Sequence, residues 1–366
     1  MDDSALYWLA FHLLFHGQSP AARRALERFG SAGEVFRAGA ADLDGLRLGK
    51  DLVRDIAGRK PLDRAGRELE IIRKKGYTLL TIEDPGYPGH LREIFDPPFA
   101  LYCRGRMDAL RNPAVAVVGS RRPSPYGRAV AERLAGDLAS RDCVVVSGLA
   151  LGIDACAHWG ALRHGRTVAV LGSGLDVMYP GENSGLADKI AEQGVVLSEF
   201  PLGTAPHAMN FPVRNRIISG LSLAIVVVEA AERSGSLISA RLALSQDREV
   251  MAVPGNATSP LSRGSNGLIK EGAKLVESWE DVAGELPSPW REKLLAQKQE
   301  KMDNKPALSR EEITLLDALS VDEVRHIDDL AEGSAFSVSE LLALLLGLEL
   351  KGAVVQHPGK QFQRRI

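Results

Sequence analysis

Disulfides and metal clips are the first things this sequence lacks. Its 366 residues hold three cysteines, Cys103, Cys143 and Cys156, odd in number and far apart. That excludes a paired cysteine framework and the close spacings of a zinc site, and it implies reduced thiols in a cytoplasmic protein. Long apolar runs are missing too. The best, "ELLALLLGLEL", is short and interrupted by Glu349, so no membrane span is expected. The start "MDDSALYWLAFHLLFHG" is acidic before an apolar run that carries His12 and His16, which is not the pattern of a secretory signal. An excess of either charge is also absent. The formal net charge is −2, so any hold on a polyanion must come from a local cluster of arginine or lysine.

Two phosphate-binding signatures are missing as well. No "GxxxxGK[ST]" occurs, which argues against a P-loop NTPase, and the glycine fingerprint of dinucleotide binders does not follow the first strand. No cofactor is therefore expected. Asp154 and His158, four apart, share a helix face, but no third ligand stands at useful spacing. No metal is expected, and Asp154 is assigned as a helix-start cap.

What is present is a set of Val/Ile/Leu runs separated by helical segments: "VAVVGS", "CVVVSG", "TVAVLGSG", "GVVLSEFP", "LAIVVVEA" and "REVMAVPG". Continuous apolar strands alternating with helices predict an α/β fold, a Rossmann-like parallel sheet covered on both faces. Ahead of it, residues 4 to about 60 show short helices, with Gly45 and Gly49 placed like the turn of a helix-hairpin-helix or of a plain helix pair. Residues 70 to 110 are Pro-rich and expected to be an extended lead-in segment packed on the sheet. After the sheet, the charged stretch "REKLLAQKQEKMDNKPALS" is expected as a linker, in part helical. Three helices and a Pro-Gly hairpin then predict a winged helix. The boundaries set this way are 1–65, 66–285, 286–306 and 307–366.

In an open parallel sheet, ligands sit beyond the carboxyl ends of the strands. Around that rim the chain offers amides, hydroxyls and arginines. Ser120 and Arg121 follow the first strand, and Ser147 and Gly148 the second. "FPVRNRIISG" carries Phe211, Arg214, Asn215 and Arg216, and Ser234, Gly235 and Ser236 open another helix. Helix-start amides bind anions because their donors are unsatisfied and the helix dipole is positive there. Several such turns on one rim point to a run of phosphates. Arg214 and Arg216 either touch phosphate or tie the loop to a carboxylate. Phe211 is expected to stack a base and Tyr126 to pack in the core. Glu199 and Glu229, at strand ends without a partner base, are assigned as acceptors for loop amides.

These stretches, with "SGLALGIDACAHWGAL", "LGSGLDVMYPGEN" and "VPGNATSPLSRGSNGLIKEGAKLV", resemble the DprA (Smf) family of DNA-processing proteins, in order from about Tyr77 to Val276. The resemblance implies an extended Rossmann domain flanked by a sterile-alpha-motif-like helical domain and a winged helix. It also implies single-stranded DNA binding without enzymatic chemistry, a homodimer, and loading of the RecA recombinase during natural transformation. Ser120 and Arg121 match the family's Gly-Ser-Arg turn, Phe211 to Arg216 its "FPxRNR" stretch, and Ser234 to Ser236 its "SGS" turn. His207 stands where relatives often have lysine, a weaker and pH-dependent substitute. Leu268 and Ile269, in "SNGLIKEGAKL", form a dimer interface if the same resemblance holds there, and could equally be core residues. The rival reading is a nucleoside-monophosphate phosphoribohydrolase of similar architecture, whose "PGGxGTxxE" stretch "AAERSGSLISA" does not reproduce.

The segment from Pro306 to Ile366 has six basic and ten acidic residues, a sum of −4, and its expected recognition helix "SVSELLALLLGLEL" has no basic residue. A duplex-reading winged helix needs phosphate contacts. This one is expected to pack on protein, with "GKQFQRR" its only basic edge.

Overall fold

The computed structural model describes residues 3–15, 20–43, 48–303, 309–320, 323–334 and 336–364. They form two compact units, Met1–Ala296 and Gln297–Ile366.

The first unit is built on a sheet of β1 (Thr78–Thr81), β2 (Ala100–Gly105), β3 (Ala114–Val118), β4 (Val144–Ser147), β5 (Thr167–Leu171), β6 (Val195–Ser198), β7 (Ala224–Val227), β8 (Glu249–Ala252) and β9 (Lys274–Leu275). Their spatial order is β1-β2-β6-β5-β4-β3-β7-β8-β9. Neighbours from β6 to β9 are parallel, while β2 runs antiparallel to β6 and β1 to β2. Each of the six apolar runs is a strand. From β3 to β7 every residue is buried, so Val, Ile and Ala fill these strands without polar alternation.

Helices cover both faces. Pro125–Ala139, Ile153–Leu162 and Trp279–Glu285 share one apolar cluster with the strands, while Asn210–Gly220 and Gly235–Ser245 share the other. The chain moves outward from β3 through β4, β5 and β6, then returns so that β7 pairs with the opposite side of β3. This reversal makes the carboxyl end of β3 a topological switch point, where open α/β sheets leave a crevice.

The lead-in segment is more regular than expected. It contributes β1 and β2, whose short runs "TLLT" and "ALYCRG" form an antiparallel edge. The N-terminal helices Asp3–Phe15 and Lys60–Lys74 pack directly on that edge, and Ala32–Arg37 and Lys50–Ala57 join the same apolar cluster. Phe99 meets Phe11 edge-on at 4.9 Å and Trp8 at 5.8 Å between ring centres, and the Tyr102 hydroxyl donates to Glu68 at 2.8 Å. These helices therefore share a core with the sheet instead of closing one of their own. Of the two hairpin glycines, Gly49 precedes helix Lys50–Ala57, whereas Gly45, like His16, lies outside the described residues. Helix Trp290–Asp303 runs through the stretch expected as a linker.

The second unit is a winged helix. Arg310–Asp317, Ile327–Glu332 and Val338–Leu350 are helices, joined by a sheet of β10 (Arg325–His326), β12 (Gln361–Arg364) and β11 (Val354–His357), in that spatial order. Capping boxes start two of the helices, Ser309 with Glu312 and Ser337 with Glu340. Leu341, Leu345 and Leu348 face its core, while Val338, Leu342, Leu346 and Leu350 are exposed on the same helix. Arg364 of the basic edge is spent on the Leu316 carbonyl and Asp317, and Arg365 lies outside the described residues. Among the described residues no helix is long and apolar enough to cross a membrane.

Candidate nucleic-acid interface

The turn after β3 is pinned at several points. The Ser120 amide donates to the Glu229 carbonyl at 2.7 Å. The Glu229 carboxylate accepts from the Ser124 amide at 2.9 Å and its hydroxyl at 2.5 Å, which ties the turn to the end of β7. Ser124 also caps helix Pro125–Ala139. From the other side, the Ile153 amide donates to the Ser120 carbonyl at 3.1 Å. Gly152 makes that approach possible. Its φ is +83°, and a Cβ there would lie 2.3 Å from the Ser120 carbonyl oxygen. Held this way, the turn leaves the Arg121 side chain exposed.

Two helix starts complete the crevice. Helix Asn210–Gly220 presents Phe211 in its first turn, and helix Gly235–Ser245 begins at its cap Ser234. The cap hydroxyl accepts from the Ser236 amide at 3.3 Å and lies 2.7 Å from the Ser236 hydroxyl. Gly235 is exposed, with open space where a side chain would be. Arg121, Phe211, Arg214, Asn215, Ser234, Gly235 and Ser236 together line a cavity of about 310 Å³. Three sequence segments expected to share one rim thus meet at one place, the switch point.

The floor of the cavity is balanced internally. Arg214 is buried; its guanidinium donates to the Gly148 and Val170 carbonyls and, through Nε, to Asn215 at 3.2 Å. Burial lowers its pKa to about 10, against the opposing pull of Asp154. The Asp154 carboxylate accepts from the Gly148 amide at 3.1 Å and the Ala150 amide at 3.3 Å. Burial raises its pKa, while Arg214 and those amides oppose the rise. The pair is a buried structural strut, and Arg121 is the exposed cation above it.

Several assignments change in this geometry. Ser147 is fully buried and donates to the Val117 carbonyl, and the Gly148 amide is taken by Asp154, so neither offers a group to a ligand. Arg216, two residues beyond Arg214, does not line the cavity. It is buried and pairs with Glu199 at 2.5 Å and Asp96 at 3.0 Å. Glu199 therefore serves an arginine, not a loop amide, whereas Glu229 does accept one. Asp154 is not the helix cap, a position held by Gly152. Tyr126 is half exposed, with its hydroxyl donating to the Pro254 carbonyl at 3.0 Å, so it is not a core residue. His158 is buried against the Thr167 hydroxyl at 2.7 Å, and among the described residues no cluster suited to a metal is found.

His207 is exposed in the loop before helix Asn210–Gly220. Leu268 is half buried and lines a separate concavity with Leu237, Leu244, Arg241 and Arg248, and Ile269 is half buried beside it. Two further positions adjoin Phe211. Gly172 lies directly beneath Phe211, where a Cβ would come within 2.8 Å of the ring. Tyr179 sits 5.7 Å from Phe211 between ring centres. Only its place in "MYPGEN", shortly after a strand end, hinted at the rim.

Residues 78–287 match the family model of DNA recombination-mediator protein A, and residues 299–360 match the DprA winged helix domain. Protein Smf of Synechocystis is 34% identical over 100% of both chains. The chain belongs to the DprA/Smf family. The crystal structure of the Streptococcus pneumoniae DNA processing protein A superposes with a TM-score of 0.58 at 38% identity, covering 74% of this chain and 98% of that one. The Helicobacter pylori DNA processing protein A, which has a described single-stranded DNA binding mode, superposes with a TM-score of 0.53 at 33% identity, covering 60% and 96%. Membership places this DprA/Smf chain among proteins of DNA processing, and both the mostly parallel sheet and the winged helix agree with it.

Proposed function

We propose that the switch-point crevice holds successive phosphodiesters of single-stranded DNA, without sequence preference and without catalysis. The observation that carries this reading is the meeting of exposed Arg121, half-buried Phe211 and the helix start at Ser234, Gly235 and Ser236 in one cavity. Arg121 holds a phosphate as a charge-assisted partner. The Ser234 turn and the Ser120 turn supply hydroxyls and helix-start donors to its neighbours. Phe211 offers an aromatic face, and His207 lies at the outer edge. Arg214 and Asn215 act from below by holding that helix in place. The described binding mode of the Helicobacter pylori relative supports the same ligand. The strand-end carboxylates Glu199 and Glu229 are committed to Arg216 and Ser124, which favours a binding role over hydrolysis of a nucleotide.

From family membership we extend the proposal to loading of RecA onto the bound strand in natural transformation. It includes a homodimer formed around Leu268 and Ile269, and a protein-facing winged helix beyond a linker near residues 286–306. The test is a salt titration of oligo-dT binding. Arg121→Ala should weaken binding and reduce the magnitude of the salt slope by about 0.7, the value for one single-strand phosphate. A folded variant with an unchanged slope would remove Arg121 from the site.

A further inference from the structure

Tyr179 is an exposed aromatic residue beside this crevice. It is 43% exposed, although the chain on both sides of it is anchored. Met178 packs against the apolar cluster beneath the N-terminal helices, and Pro180 is buried. The Ser173 hydroxyl donates to the Val177 carbonyl at 2.6 Å, and the Asn183 side chain donates to the Leu149 carbonyl at 2.8 Å. The loop is therefore held at both ends while it presents an aromatic ring to water. A ring fixed in this way loses little freedom when a ligand covers it.

Phe211 alone offers less stacking surface than its position suggests. Its ring lies on Gly172, and the guanidinium carbons of Arg121 and Arg214 stand 5.4 Å and 5.9 Å from its centre. Tyr179 extends that platform outward, at 5.7 Å between ring centres and a 45° tilt. A base inserted between two rings needs twice the ordinary carbon contact distance, about 7 Å. The pair is therefore not a slot. It is two adjacent faces, and two bases lying on them are turned away from each other.

Resting on the single-strand reading above, we infer that Tyr179 is a second base-stacking residue, taking the nucleobase next to the one on Phe211. The tilt between the rings gives the ligand its class. Neighbouring bases of a duplex stay parallel, so only an unstacked single strand satisfies both faces.

The test uses the full chain and oligo-dT. Tyr179→Leu keeps apolar bulk but loses the ring, and should weaken binding by roughly 5- to 150-fold, the range for one stacked base. The salt slope should stay at its wild-type value, because no phosphate contact is removed. Tyr179→Phe should bind within about twofold of wild type, since either ring supplies a stacking face. Wild-type affinity for Tyr179→Leu overturns the assignment, and so does a Tyr179→Phe variant as weak as Tyr179→Leu, which would make the hydroxyl the contact. A single abasic site moved along an oligo-dT trimmed to the shortest length that keeps full affinity, so that the strand has one register, checks the same point without a mutation. Wild type should tolerate it least at two adjacent positions, and a single sensitive position overturns the second platform. Arg121→Ala tests the underlying reading separately: an Arg121-dependent slope with indifference to Tyr179→Leu sinks only the Tyr179 assignment.

Discussion

Replacing Gly152 by alanine should damage the crevice without touching any group that meets a ligand. Gly152 has φ +83° and ψ −128°, a region that residues with a Cβ rarely enter. Holding alanine there costs about 1–3 kcal/mol. The added carbon would sit 2.3 Å from the Ser120 carbonyl oxygen and 2.7 Å from the Arg121 carbonyl group. Real Cβ contacts essentially never fall under 3.0 Å, so the turn must retreat by about 0.7 Å from the start of helix Ile153–Leu162. That stretches the 3.1 Å bond from the Ile153 amide, which contributes roughly another 1 kcal/mol. The expected loss of stability is about 2–4 kcal/mol in urea unfolding. Oligo-dT affinity should also fall at temperatures where the variant remains folded, because Arg121 rides on the displaced turn. Gly235→Ala is the matched control. Its φ is not in the left-handed region and open space surrounds the new carbon, so stability should hold. If Gly152→Ala unfolds like Gly235→Ala and binds oligo-dT like wild type, the reasoning about this turn is refuted.

The remaining expectations concern the interior and the assembly. The His158 pKa is lowered from 6.5 to about 3, by burial first and by Arg214 second. The folded state refuses a proton that the unfolded chain binds, so the stability from His158 is whole above about 6.5 and is lost as pH falls toward 3. Between pH 7.5 and 5.5, wild type should lose roughly 1 kcal/mol more than His158→Asn in urea, and equal losses would refute the assignment. Arg216→Met leaves Glu199 buried without its partner and should cost about 3–5 kcal/mol, partly restored by Glu199→Gln, while the salt slope of DNA binding stays unchanged. A shallower slope would return Arg216 to the phosphate path. On the proposed homodimer, Leu244, 69% exposed in the concavity that Leu268 lines, should carry the contact, so wild type should sediment as a dimer and Leu244→Arg as a monomer at the same concentration. A variant that still dimerises moves the interface elsewhere.

The central sheet was legible because its strands are buried on both faces, which leaves long Val/Ile/Ala runs and no ambiguity of period. The crevice was legible for a related reason: each contributing turn follows a strand or opens a helix, and parallel topology brings those ends to one rim. Arg214 and Arg216 show where such reasoning stops. Residues two apart on a helix point in nearly opposite directions, so only one of them can face the cavity. Which one does depends on Glu199 and Asp96, set by a strand end and a loop distant in sequence. Gly152 and Gly172 are similar cases. Their role is the close approach of the Ser120 carbonyl and the Phe211 ring, and composition carries no trace of either. The edge strands β1 and β2 were missed because each is short and lies in a Pro-rich stretch. Tyr126 and Tyr179 were separable only after the loops that carry them were placed.

The helices before residue 75 do not form a detachable bead. A protein cut just ahead of β1 would turn Phe99 and Tyr102 toward solvent and would leave the sheet with a sticky flank. A relative that dispenses with those helices must therefore rewrite these two positions in polar or smaller residues. Grafting the segment onto another sheet would require the reverse change, so its inheritance is coupled to that of the surface it covers.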